Sequence, residues 1–287
     1  MNGPWTTLVQ AEELAAALGG SGVVIVDCRF SLVDPDAGER AYRVSHLPGA
    51  RYAHLDRDLS GRPGPGRGRH PWPEAADFSA TLSAWGVAPG DQVVAYDDGD
   101  GAFAARLWCL LRMMGHPAVA VLDGGWARWR APGFPVDDII PSAAHADRAS
   151  GSGFDDARLL DAEGARRHLG AGGLLVDARA AERFRGDVEP IDAVAGHVPG
   201  AVNRPYALNL DDGRFKPPAR LRAEFEALLG GRSPGEVAVM CGSGVTACHH
   251  LLAMAHAGLH GARLFTGSWS GWIDDASRPV AVGDDGA

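Results

Sequence analysis

No apolar run in the chain approaches the about eighteen residues that a helical membrane span requires, and Met1-Asn2-Gly3-Pro4-Trp5 lacks the basic start and apolar stretch of a secretory signal. The expectation is a cytoplasmic protein with no membrane partner. Basic residues are in deficit: 27 Lys and Arg against 36 Asp and Glu leave a formal charge of -9. That balance argues against general affinity for nucleic acid, because phosphate binding relies on clustered Lys and Arg. Cysteine is scarce as well. Cys28, Cys109, Cys241 and Cys248 show no Cys-x-x-Cys spacing, so neither a structural zinc site nor a thioredoxin motif is indicated. In a reducing compartment all four are thiols, each by default a small buried hydrophobe.

What is present is repetition. Val24-Ile25-Val26-Asp27-Cys28-Arg29 returns as Leu174-Leu175-Val176-Asp177-Ala178-Arg179, and His46-Leu47-Pro48-Gly49-Ala50 returns as His197-Val198-Pro199-Gly200-Ala201. The offsets, from 27 to 177 and from 46 to 197, are nearly equal, and Gly124-Gly125-Trp126-Ala127-Arg128-Trp129 is echoed by Gly267-Ser268-Trp269-Ser270-Gly271-Trp272. A period this long is a duplicated domain, since solenoid units run to roughly 20 to 50 residues.

Each half alternates helix-period segments with short apolar runs, the pattern of parallel strands with helices on both faces. Gln10 to Leu18 reads as a helix before a strand at Val23 to Val26, matched by Asp161 to Leu169 before Leu174 to Val176. Further on, strand, helix and strand at Gln92 to Tyr96, Ala102 to Met114 and Ala118 to Leu122 correspond to Glu236 to Met240, Val245 to Ala257 and Ala262 to Phe265. A Pro, Gly, Ser and Ala-rich stretch from Pro132 to Gly153 marks the join. The expected division is residues 1–140, a linker at 141–153 and residues 154–287.

Aligning the halves sets Asp97 of the first against Cys241 of the second, at a strand's carboxyl end where open parallel sheets gather chemistry. Gly242-Ser243-Gly244-Val245-Thr246 can bend successive backbone N–H groups onto one point, and the helix beginning near Val245 adds the positive end of its dipole. Both favour a thiolate at Cys241. An isolated Cys-Gly pair would read more readily as structural, but the strand-Cys-Gly-x-Gly-helix pattern in only one copy reverses that order. A phosphatase-type thiol site would need an arginine at the sixth position after the cysteine, where Ala247 stands. His249 and His250 lie on the following helix, pointing away from the loop a protease-type pair would occupy. Asp27, Asp177, His46 and His197 occur in both copies and so read as fold-supporting hydrogen-bonders.

The duplicated Asp-x-Arg and His-x-Pro-Gly-Ala motifs, the Gly-x-Trp-x-x-Trp endings and the hexapeptide Cys241-Gly242-Ser243-Gly244-Val245-Thr246 together resemble the tandem-domain rhodanese superfamily. The resemblance spans almost the whole chain, and the loop is similar to that of the mercaptopyruvate sulfurtransferases. It implies an α/β fold of two rhodanese-like domains, each an open, mainly parallel sheet with helices on both faces, the first domain noncatalytic. It also implies a cycle in which the Cys241 thiolate takes sulfur from a small anionic donor, 3-mercaptopyruvate or thiosulfate. The resulting persulfide passes sulfur to a thiol acceptor such as thioredoxin, or to cyanide, with no metal or organic cofactor needed.

Carried over by the resemblance, Arg183 holds the donor's anionic group, the backbone of Gly242, Gly244, Val245 and Thr246 forms the cradle, and Ser243, His70 and Asp56 assist proton movement. One departure stands out. Many mercaptopyruvate enzymes have a second substrate arginine after a Glu-Pro element, whereas Glu189-Pro190 is followed here by Ile191, leaving Arg204 or Arg185 as the expected substitute. Two rival readings stay open: a thiosulfate:cyanide sulfurtransferase, and a noncatalytic rhodanese-fold binding or regulatory module, the latter suggested by Asp97, Asp98 and Asp100 in the first copy.

Overall fold

The computed structural model describes residues 4–142 and 153–284, so most of the expected linker lies outside the described residues. The chain divides into two units, Met1–Gly61 with Pro73–Asp155 and Asp212–Phe215, and Arg62–Trp72 with Asp156–Asp211 and Lys216–Ala287. Arg62–Trp72, expected in the first domain by its place in the chain, therefore packs with the second unit. No helix among the described residues is long and apolar enough to cross a membrane.

In the first unit β1 (Leu8–Val9), β2 (Val23–Asp27), β3 (Arg51–Tyr52), β4 (Gln92–Tyr96) and β5 (Val119–Leu122) form a parallel sheet in the order β1-β5-β4-β2-β3. Its helices are α1 (Ala11–Ala17), α2 (Ala37–Val44), α3 (Leu55–Asp58), α4 (Ala75–Trp85), α5 (Ala104–Met113) and α6 (Gly125–Arg130). Strands such as Val-Val-Ile-Val are apolar throughout because both faces are covered. One face, with Ile25, Val94, Tyr96 and Leu122, packs on Leu14 of α1, Tyr42 of α2 and Trp129 of α6. The alternate residues Val26, Val93, Ala95 and Val121 are equally buried, and α5 contacts β4 and β5.

The chain continues through β6 (Leu159–Leu160), β7 (Leu174–Asp177), β8 (Val202–Asn203), the short β9 (Leu210–Asp211) and β10 (Arg214–Phe215), then β11 (Val237–Met240) and β12 (Arg263–Phe265). The second sheet is also parallel, in the order β6-β12-β11-β7-β8, which reproduces the first strand for strand. Its helices are α7 (Ala162–Gly170), α8 (Ala181–Arg185), α9 (Pro218–Leu229), α10 (Thr246–His256) and α11 (Ser268–Trp272). Asp161 caps α7 as expected, its carboxylate accepting the Gly164 N–H at 2.6 Å.

The repeated motifs brace the sheets. Asp27 and Asp177 are fully buried, each paired with the arginine two residues on, Arg29 at 2.7 Å and Arg179 at 2.6 Å. Arg29 Nη2 also donates to the Ser45 carbonyl at 2.7 Å, and its Cζ lies 4.5 Å from the Trp126 ring centre; Arg179 Nη2 donates to the Gly196 carbonyl at 2.8 Å, and its Cζ lies 4.9 Å from that of Trp269. His46 and His197 each bond a backbone carbonyl through Nδ1, of Tyr42 at 2.7 Å and of Phe184 at 2.8 Å. These groups tie strand ends to neighbouring loops in both copies.

Candidate active site

β11 ends at Met240, and Cys241 opens the bend that leads into α10. The Cys241 N–H donates to Ser268 Oγ at 3.1 Å, while its carbonyl accepts from Trp269 N and that of Gly242 from Ser270 N. The first turn of α11 thus holds the outer side of the bend. On the inner side, the Gly244 N–H donates to Cys241 Sγ at 3.1 Å. Gly244 has φ +80°, a conformation that permits this return and that side chains resist. Cys241 is 2% exposed; Val245 is the N-cap of α10, and Thr246 its first residue.

The first unit carries the same bend with a carboxylate in place of the sulfur. Asp97 Oδ1 accepts the N–H groups of Gly99 and Gly101, and Oδ2 those of Phe103 and Ala104, at 2.9–3.1 Å. Because Asp97 takes these amides, α5 begins at Ala104 rather than at the expected Ala102. Burial, then the neighbouring Asp100, push its pKa up to about 6 against the amides that favour the charged form. Between about pH 4 and this value the folded state holds a proton that the unfolded chain has lost, so the unit loses stability as pH rises through that window. Asp100→Asn keeps the acceptor used by the Ala102 N–H. It is expected to lower the Asp97 midpoint and raise stability at neutral pH by up to about 1.4 kcal/mol, one pKa unit. Denaturant midpoints at pH 4 and pH 7 check this, the gain being confined to the higher pH.

His70 and Ser243, 173 residues apart in sequence, meet in the second unit with Nδ1 and Oγ 2.8 Å apart, both buried. The Arg62–Trp72 segment reaches them because glycines let backbones touch. A side chain on Gly68 (φ +77°) would stand 2.4 Å from the Gly267 carbonyl, and one on Gly271 would stand 2.6 Å from that of Gly66. The Gly66 N–H donates to Asp274 at 2.6 Å. Asp56 belongs to the first unit, exposed on α3, with its N–H donating to His54 Nδ1 at 3.1 Å.

Arg183 stands on α8 beside the bend, its terminal nitrogens 3.7 Å from where a side chain on Gly242 would begin. Its guanidinium binds Glu189 at 2.6 Å and Asp192 at 3.1 Å. Burial works against the Glu189 charge, but Arg183 and the N–H groups of Asp192 and Ile191 outweigh it and hold the carboxyl below its usual range.

The expected substitutes for the missing arginine are placed otherwise. Arg204 is buried, its guanidinium bonded to Asn209 and to Glu224 at 2.9 Å and stacked 4.3 Å from the Phe225 ring, so it is committed to packing. Arg185 is paired with Asp187 at 2.8 Å. His249 and His250 are buried on α10, their Nδ1 atoms each 2.9 Å from Asn209 Nδ2. Burial, then Arg204, push the His250 pKa down to about 3, which keeps it neutral. Cys28 directly follows β2, buried, with its thiol pushed well up by burial and by Asp27, Asp97 and Asp58.

Sequence reasoning missed Arg69, Asp192, Ser268 and Ser270. Arg69 directly precedes His70, and both serines lie in the repeated Gly-x-Trp element.

The pattern of the rhodanese-like domain matches residues 10–132 and again 161–275, covering both halves. The chain belongs to the rhodanese-like family. Over 282 residues it is 50% identical to a Pseudomonas aeruginosa protein named "Probable 3-mercaptopyruvate sulfurtransferase", covering 96% of this chain and 98% of that one. The thiosulfate sulfurtransferase of Bos taurus is 32% identical over 285 residues, 93% and 90% of the two chains. Among solved structures, 3-mercaptopyruvate sulfurtransferase from Leishmania major superposes with a TM-score of 0.79 at 31% identity, covering 94% of this chain and 74% of that one. Sulfur transfer from a donor to an acceptor is the class of reaction this rhodanese shares with them.

Proposed function

We propose that Cys241 takes a sulfur atom from 3-mercaptopyruvate, carries it as a persulfide and passes it to a thiol, with a small protein thiol such as thioredoxin in the cytoplasm as the acceptor. The observation that carries this reading is the Gly244 N–H aimed at Cys241 Sγ within a bend whose copy in the first unit holds a carboxylate in four N–H bonds. Such a bend stabilises a negative charge that shifts outward by one sulfur when the persulfide forms.

In the first half-reaction the Cys241 thiolate attacks the donor sulfur, an S–S bond forms, and the donor's C–S pair leaves as the enolate of pyruvate. The donor's thiol proton moves to that carbon, so the net products are pyruvate and an anionic persulfide. Ser243 and His70 are our candidates for relaying this proton, with Asp56 as a third member, and Arg183 for holding the carboxylate. Gly242, Gly244, Val245 and Thr246 supply the backbone of the cradle. With thiosulfate the same attack releases sulfite, and cyanide could serve as acceptor.

The first domain, residues 1–140, with Asp97 where the sulfur would be, is proposed as noncatalytic. Mass spectrometry after exposure to mercaptopyruvate, and separately to thiosulfate, tests the reading. One added sulfur is expected on the peptide containing Cys241. Sulfur on Cys28, Cys109 or Cys248 instead, or on none, overturns it.

A further inference from the structure

The amino end of the second sheet carries a cavity that the sulfur-transfer reading does not use. Its volume is about 360 Å³, within the range of small-molecule sites. Gly173 and Glu236, which directly precede β7 and β11, and Arg263, which opens β12, form one side; Arg167 and His168 of α7 and the neighbouring Ala171 form the other. Cys241 follows the opposite end of β11, a strand of four residues and about 13 Å.

The first unit fills the corresponding corner with its own chain. Val237 lies beside Leu174 as Val93 lies beside Val24, so Glu236 stands where the first copy has Gln92. Gln92 Oε1 accepts the Trp5 N–H at 2.9 Å, Gln92 Nε2 donates to the Trp5 carbonyl at 3.0 Å, and the Trp5 side chain packs against the cluster that includes Leu14 of α1. Leu159 corresponds to Leu8 by its strand pairing, which puts Asp156 at the position of Trp5. The second copy therefore has no indole of its own for this place.

The walls are equipped for a ligand. His168 is 8% exposed, and its Nε2 donates to the Leu174 carbonyl at 3.1 Å, which leaves Nδ1 an acceptor with no partner among the described residues. Gly173 admits the imidazole, since a side chain there would begin 2.4 Å from the ring. The Arg263 guanidinium has no hydrogen-bond or ion-pair partner among the described residues, and Arg167 reaches only Glu163, at 3.7 Å. Glu236, the acid on the wall, is turned to Ser233, accepting its N–H and its hydroxyl at 2.8 Å each. We propose that this corner is a second ligand site, for a small aromatic carboxylate whose ring takes the place of Trp5 and whose charge lies on Arg263 and Arg167. A ring N–H, as in an indole, gives His168 Nδ1 the donor it lacks.

The probe is indole-3-propionate, titrated into the full-length protein by calorimetry and by amide NMR. One molecule per chain is expected, with shifts of the Gly173 and Gly235 amides and none of Gly242 or Gly244. Arg263→Gln should weaken binding at least about 10-fold, the loss of a charge-assisted contact. The uncharged 3-methylindole should bind this variant and wild type within about 2-fold of each other, the spread of an uninvolved surface change. Ala171→Trp, which swings an indole in from an exposed position, should abolish binding of both probes. A denaturation midpoint near that of wild type shows the fold intact; if it falls, Arg263→Gln alone decides. No binding to wild type at roughly 1 mM, an affinity indifferent to both variants, or shifts at Gly242 and Gly244 instead overturns the proposal.

Discussion

Cys241→Ser is expected to lower turnover with mercaptopyruvate by at least about 10⁴-fold, the scale on which removing a nucleophile acts. The hydroxyl is a far weaker nucleophile at neutral pH and cannot carry a sulfane sulfur. It can still accept the N–H of Gly244 that now meets Sγ at 3.1 Å, and the Cys241 backbone bonds to Ser268 and Trp269 do not involve the side chain. Stability should therefore stay within about 1 kcal/mol of wild type, the range of a near-isosteric change. Steady-state kinetics with a denaturation curve on the same sample check both halves. Retention of a tenth of the activity would place the chemistry on another residue.

Asp177→Ala has the opposite profile. It leaves the Arg179 guanidinium 3% exposed, with the Gly196 carbonyl at 2.8 Å and Glu189 at 3.5 Å as its remaining polar partners. Breaking a buried ion pair from one side costs about 3–5 kcal/mol, because the surviving charge keeps its desolvation penalty. The second unit should then unfold at lower denaturant, with the first little changed. Asp27→Ala, which strands Arg29 in the same way, should reverse the order. Two separable transitions, read by intrinsic tryptophan fluorescence and circular dichroism, are the expected signature. A loss under 1 kcal/mol in both variants would show that the two pairs are dispensable.

The fold was legible because it is written twice. Asp27 and Asp177 mark equivalent strand ends, and the matching sheet orders follow from equivalent apolar runs, each run reporting on its own local burial. Boundaries moved where a side chain captured backbone amides, as Asp97 does at the start of α5. Within the site, Cys241 and its glycine bend are local and could be read from their neighbours. The rest depends on distant meetings: Arg69 with Asp192 lie 123 residues apart, and His70 with Ser243 lie 173 apart. His70 was reachable through resemblance alone, and Arg69, its neighbour in the chain, was not, because its partners Ser270 and Asp192 are remote in sequence. Arg204 misled for the complementary reason. Its charge was visible, but Glu224, which holds it on the far side of 20 residues, was not visible as its neighbour.

The carboxylate of Asp97 gives the first loop a different working life from the second. A side chain that brings its own negative charge satisfies the surrounding amides from the moment the strand and helix come together, so that loop is complete without any guest. In the proposed cycle a sulfur in the same seat must instead accept an extra atom and surrender it at every turn. The first loop can be tuned for permanence and the second for exchange, and a substitution tolerated in one is a poor guide to its counterpart.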